Sequence, residues 1–179
     1  MKTYEMTIAG CRRQLPVFPI NEKCSIAAFI LFGDVEVTIA SAKALLEKVP
    51  DFDVLLTPEA KSIPLAYEMA RQSGKSYIVA RKGPKLYMDH PFSVDVHSIT
   101  TAKEQKLFLG QNEADQMQGK RILVVDDVIS TGASLDAVLE LARHTGGEVV
   151  ACCAVLAEGD AAKREDIIFL EPLPLLQNE

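Results

Sequence analysis

The chain has 179 residues, 48% of them hydrophobic and 25% charged, with a net charge of -6. That length and balance supply a core of ordinary size and point to a single domain over residues 1–179, excluding a disordered or fibrous chain. The acidic charge argues against general binding of nucleic acid, while leaving room for a local anion pocket set by its nearest few groups. Residues 3–10 and 12–18 read as two short strands around a glycine-containing turn. Asp34 is placed to cap a helix over 35–48, with Val37, Ala40, Ala44 and Leu45 on one face and a V-P-D stop at 49–51. Residues 53–57 form a short buried strand, followed by a loop, a helix through Ala66 to Gln72 that Gly74 closes, and a strand at 75–80. Between Gly83 and Lys120 the pattern weakens; 93–97 alternates like a strand, with 106–109 as its hairpin partner.

Residues 122–125 are an apolar run of the kind found in a parallel strand covered on both faces. Beyond them, Leu135, Val138, Leu139 and Ala142 recur at helical spacing, and Gly146-Gly147 stops the helix. Strands at 148–156 and 167–170 complete the chain. This alternation predicts an α/β fold with a central, mainly parallel sheet and helices on both faces. Ligands in such folds gather beyond the carboxyl ends of the strands. No repeat, low-complexity tract or linker interrupts the pattern.

The densest chemistry lies in RILVVDDVISTGAS, residues 121–134, where a buried strand delivers two carboxylates and then a small-residue loop to the start of a helix. Unpaired N–H groups and the helix dipole favour an anion there. Gly132 allows close backbone approach, and Ser130, Thr131 and Ser134 add hydroxyl donors. Asp126 and Asp127 would repel a phosphate, so they suit hydroxyl donors or a metal. A ligand satisfying both halves carries a phosphate at one end and a vicinal diol nearby, as ribose 5-phosphate does.

Residues 124–134, VVDDVISTGAS, resemble the phosphoribosyl pyrophosphate (PRPP) signature of the type I phosphoribosyltransferases. The resemblance implies that family's fold, a central sheet with a flexible hood, here over 83–110. It implies that Asp126 and Asp127 hold the ribose 2′- and 3′-hydroxyls. Ser130, Thr131, Gly132, Ala133 and Ser134 would hold the 5′-phosphate, and Val128 would border the base. TPEAKS at 57–62 is similar to the pyrophosphate loop of adenine phosphoribosyltransferases, so that Glu59, Ala60, Lys61 and Ser62 face the diphosphate. Relatives often place a non-proline cis bond in this loop; the plain alternative is a helix capped by Ser62 beside a solvated Glu59 and Lys61. Lys61-Ser62 stands where the family usually has Arg-Gly.

ARKGPK at 80–85 puts three cations in five residues at a strand end. By resemblance Arg81 and Lys82 contact the diphosphate and Lys85 begins the hood, with Lys82 and Asp127 as the catalytic residues. SITTAK at 98–103 stands where adenine enzymes usually carry a Glu-Tyr pair, and looks closer to the xanthine-type loop. Glu158, after the 148–156 strand, is a base-side candidate or a turn residue. Glu113 and Asp115 read as solvated acids beside a turn. His90, His97 and His144 lack metal-ligand spacing, and His144 suits a helix end.

The implied reaction transfers the phosphoribosyl group of PRPP to a purine, adenine first and xanthine or guanine second, with Mg2+ carried by PRPP and a homodimer as the expected assembly. A PRPP-sensing regulator is the competing reading. Regulators of that type carry an added winged-helix domain, for which the segment before the first strands is too short. A P-loop nucleotidase is excluded by the lack of G-x-x-x-x-G-K-[ST]. Cys11, Cys24, Cys152 and Cys153 have no C-x-x-C spacing and read as apolar filler. With no apolar run of signal or membrane-span length, a cytoplasmic protein without membrane contact is expected.

Overall fold

A computed structural model describes residues 2–97 and 105–178. The strands are β1 (Thr3–Ile8), β2 (Cys11–Pro19), β3 (Cys24–Ala27), β4 (Val54–Pro58), β5 (Ser76–Ala80), β6 (Phe92–Val96), β7 (Gln105–Leu109), β8 (Arg121–Ile129), β9 (Glu148–Glu158), β10 (Ile168–Leu173) and β11 (Leu176–Gln177). The helices are α1 (Val35–Leu46), α2 (Ile63–Ser73), α3 (Gln111–Met117) and α4 (Ala133–His144), with a 3-10 turn at Gly159–Lys163.

Five strands form an all-parallel sheet in the order β10-β9-β8-β4-β5. Side chains alternate along β8, so Ile122 and Val124 enter one core with α4, while Leu123 and Val125 enter the other with α1 and α2. Burial on both faces explains why β4 and β8 read as unbroken apolar runs. Asp34 caps α1, its carboxylate accepting the Val37 N–H at 3.2 Å. Gly74 ends α2 at φ 70°, in the left-handed region that favours glycine.

The carboxylate of Asp53 ties the starts of β4 and β8 together, accepting from the Arg121 backbone N–H at 2.8 Å and from its guanidinium at 3.1 and 3.0 Å. Those bonds to Arg121 hold the Asp53 carboxyl below the usual carboxylate range.

The expected strands at 3–10 and 12–18 pair as β1 and β2, but they belong to a second, antiparallel sheet ordered β1-β2-β3-β11. In it the chain's last strand pairs with β3, Leu176 opposite Ser25. The expected hairpin is present as β6 and β7, with Phe92 opposite Leu109. An isolated bridge from Arg81 to Phe108 fastens it to the end of β5. Glu113 and Asp115 lie on the short helix α3 and not beside a turn, because Ala114 and Met117 are buried at helical spacing behind the Gly110 N-cap.

Candidate active site

Four connections leave the carboxyl ends of β4, β5, β8 and β9, and they supply nearly all of the chemistry expected from the sequence. The one after β4 contains a cis peptide bond between Glu59 and Ala60. Its geometry departs from a simple capped helix. Ser62 occupies the N-cap position of α2, yet its hydroxyl donates to the Pro58 carbonyl at 3.0 Å and makes no capping bond. The Thr57 and Ser62 hydroxyls lie 2.7 Å apart, and Thr57 Oγ1 is 2.8 Å from the Val125 carbonyl on β8. Both side chains are buried, so this network fixes the loop to the strand that carries the acids.

Glu59 is not a solvated acid. Its carboxylate accepts the Lys82 backbone N–H at 2.9 Å and the Arg81 guanidinium at 3.1 Å. These contacts, the backbone bond first, lower its carboxyl below the usual range. The ends of β4 and β5 are thereby joined.

At the end of β8, Asp126 continues the Ile122–Val124 face and Asp127 the Leu123–Val125 face, yet both line one cleft. Asp126 Oδ1 accepts the Asp127 N–H at 2.8 Å. Burial, and then the adjacent Asp127 charge, push the Asp126 carboxyl well above its ordinary value. Asp127 is buried; its Oδ2 accepts no aligned hydrogen bond, with the Lys61 ammonium 3.2 Å away as its salt-bridge partner.

The following loop turns at Gly132, φ +86°, before α4 begins at Ala133. It forms a shallow concavity from Val128 to Leu135 that also reaches Asp126. The Ser130, Thr131 and Ser134 side chains are exposed there, and the Ala133 N–H reaches Thr131 Oγ1 only at 3.4 Å. A short nest of donors at a helix start is suited to an anion.

Glu59, Ala60, Lys61, Ser62, Lys82, Asp126, Asp127, Val128 and Ser134 therefore meet around a single cleft of about 510 Å3. A second cleft, about 530 Å3 and lined by His90, Phe92, Gln111 and His144, lies apart from these loops and has no phosphate-type cradle. His144 is at the end of α4, with its ring edge-on to Phe92 at 6.2 Å.

Three expected residues fall elsewhere. Arg81 is committed to Glu59 and to the Tyr87 hydroxyl and lines a separate 240 Å3 cavity with Tyr77 and Tyr87. Lys85 is half-buried outside the cleft lining. Glu158 faces the 130–134 loop, accepting the Ser130 hydroxyl at 3.0 Å. The hairpin contributes Val96, Gln105, Lys106 and Leu107 to the cleft, none of which the sequence singled out. The signal for them was a lysine beside an apolar strand end, which is common on any surface hairpin. The 98–103 stretch and part of the expected hood lie outside the described residues. All four cysteines are free; burial raises the Cys152 thiol to about 11 and Cys153 further.

A family model for the phosphoribosyl transferase domain matches residues 36–173. The chain is similar to the adenine phosphoribosyltransferase of Thermotoga petrophila, with 28% identity over 93% of this chain and 91% of that one. It is 33% identical to the adenine phosphoribosyltransferase of Saccharopolyspora erythraea over 83% of this chain and 78% of that one. Among solved structures, the adenine phosphoribosyltransferase of Thermoanaerobacter pseudethanolicus matches with a TM-score of 0.68 at 21% identity, over 79% of this chain and 84% of that one. The Rhodothermus marinus enzyme of the same name matches with a TM-score of 0.65 at 19% identity, over 96% and 94%. Both structural likenesses place the fold among type I phosphoribosyltransferases. The chain belongs to the phosphoribosyl transferase domain family.

Proposed function

We propose that this chain is a single-domain purine phosphoribosyltransferase that transfers the phosphoribosyl group of PRPP to adenine, releasing pyrophosphate in a salvage reaction. The observation that carries this reading is the meeting of the 59–62 loop with Asp126, Asp127, Val128 and Ser134 around one cleft, beside the concavity formed by residues 128–135. The three groups of residues suit the ligand's three parts in chemistry. The nest at 130–134 takes the 5′-phosphate, Asp126 and Asp127 take the ribose diol, and residues 59–62 with Lys82 take the diphosphate.

In the reaction a purine ring nitrogen attacks C1′; the C1′–N bond forms, the C1′–O bond to pyrophosphate breaks, and the nitrogen's proton passes to solvent or to pyrophosphate. Charge separates as the C1′–O bond lengthens, giving an oxocarbenium-like state. Lys82 and Lys61 neutralise the departing diphosphate, and the buried Asp127 carboxylate stabilises the cationic sugar. Fixing the sugar at both ends aligns C1′ with the base, which removes the entropy of encounter from the chemical step. Val128 lies at the cleft's inner wall, where a base would pack.

The acid pair also fits Mg2+ brought in by PRPP. Asp127 Oδ2 is a buried oxygen with no aligned hydrogen bond and only the Lys61 ammonium beside it, while no group of three potential ligands is assembled among the described residues. Asp126 and Asp127 would hold one side of the ion, whose chemistry there is neutralisation of diphosphate charge.

A homodimer completes the reading. Phe32, Val35, Ile39 and Tyr67 are exposed around a largely apolar groove of about 470 Å3 between α1 and α2, a face suited to a second copy of the chain. None of the helices among the described residues is long and apolar enough to cross a membrane, and the free cysteines suit the reducing cytoplasm in which we place the enzyme.

Incubation with Mg2+-PRPP and a panel of purines, scoring pyrophosphate release, tests the activity. Release with adenine is expected. No release with any purine, together with no PRPP binding by calorimetry, overturns the reading.

A further inference from the structure

Arg164 follows the 3-10 turn after β9, with its backbone N–H bonded to the Ala161 carbonyl at 3.1 Å. Its side chain is half-buried. Nε and Nη2 fork onto the two oxygens of Asp166, each at 2.8 Å. Nη1 takes no part in that fork and lies against the phosphate loop: a Cβ placed on Gly132 would sit 2.8 Å from it. At the other end of the same connection, Glu158 accepts the Ser130 hydroxyl at 3.0 Å. The segment between β9 and β10 therefore touches the 130–134 loop at two points, once with a carboxylate on a hydroxyl and once with a guanidinium on backbone.

We propose that Arg164 is a positioning residue for the 5′-phosphate loop, setting Gly132 in place and adding positive charge behind the donors that receive the phosphate. This inference rests on the assignment of that loop to the 5′-phosphate. Asp166 engages only Nε and Nη2 and cancels part of the guanidinium's field, leaving Nη1 turned toward Gly132. Gly132 is required by its left-handed backbone, and Nη1 of Arg164 lies where a side chain there would begin. Glu158 acts on the same loop from the opposite end, through the Ser130 hydroxyl.

Calorimetry with ribose 5-phosphate and, separately, with pyrophosphate tests the proposal on wild type, Arg164→Met, Arg164→Lys and Asp166→Asn. Arg164→Met is expected to weaken ribose 5-phosphate binding about five-fold, as loss of one partly screened charge at a helix start does, with pyrophosphate affinity unchanged. Arg164→Lys restores most of the loss. Asp166→Asn binds ribose 5-phosphate as tightly as wild type or more tightly, because the cation is no longer half-cancelled. A role through packing alone would instead make Asp166→Asn as weak as Arg164→Met. That result, or wild-type affinity in Arg164→Met, overturns the proposal. Should Arg164→Met fold poorly, Arg164→Lys and Asp166→Asn decide: an Asp166→Asn variant weaker than Arg164→Lys overturns it. Wild-type protein that binds no ribose 5-phosphate overturns the phosphate assignment itself, an outcome distinct from a null effect of the variants.

Discussion

Lys61 and Asp127 form a salt bridge across the mouth of the cleft, Nζ to Oδ2 at 3.2 Å, joining the loop after β4 to the acid pair of β8. Asp127 is nearly inaccessible while Lys61 is half exposed, so the cation moves far more easily than the anion. The two partners should therefore fail differently. Lys61→Met leaves a buried carboxylate without its counter-charge, but solvent screening at the lysine limits the stability loss to about 1 kcal/mol or less. Its PRPP affinity should fall about ten-fold. Asp127→Asn removes a buried charge and should be as stable as wild type or more so, by up to about 1 kcal/mol, while PRPP binding falls roughly thirty-fold. Thermal denaturation and calorimetry check both; an Asp127→Asn variant that binds PRPP normally would remove the residue from the site.

Thr57→Val tests the link between loop and strand. The side chain is fully buried, and its hydroxyl meets Ser62 and the Val125 carbonyl. A valine keeps the shape and deletes the bonds, which should cost about 1–2 kcal/mol in chemical denaturation. The freed loop should also raise KM for PRPP while leaving ribose 5-phosphate affinity near wild type. Equal losses for the two ligands would contradict a local role.

Asp53 gives a pH signature remote from the cleft. Its carboxyl is lowered by Arg121, so the folded state holds the proton less tightly than the unfolded chain. The resulting stabilisation is present above the unfolded value, about 3.9, and is lost as pH falls through the lower folded value. Asp53→Asn should lower Tm at neutral pH by an amount that stays constant down to about pH 4 and then shrinks. A gap that instead widened in acid would reverse the assignment.

Gly147 is constrained by space. A Cβ there would meet the Met117 carbonyl at 2.6 Å and the end of the Ile122 side chain. Because backbone cannot yield as a flexible side chain does, Gly147→Ala should destabilise by about 2 kcal/mol with ligand affinities unchanged. Urea denaturation beside a PRPP titration measures both.

The parallel sheet and the strand–loop–helix unit that carries the acids were legible in the sequence because each is written in consecutive residues: an apolar run, two acids, small residues, then a helical stripe. The antiparallel sheet was not, since β3 has four residues and β11 two, and their partnership joins residues about 150 positions apart. Local pattern carries no information about such pairing. The placement of Arg81 was missed for a related reason. Its sequence neighbours Lys82 and Lys85 read with it as one cluster of cations, but its own carboxylate partner, Glu59, arrives from another strand end. Arg164 likewise looks like one member of a surface charge run until Gly132 is brought against it.

The alternation of β8 has an evolutionary corollary. One stretch of nine residues fills two cores and then presents the acids, so inserting or deleting a single residue within β8 before Asp126 would swap the faces of its apolar side chains and displace both carboxylates in the same stroke.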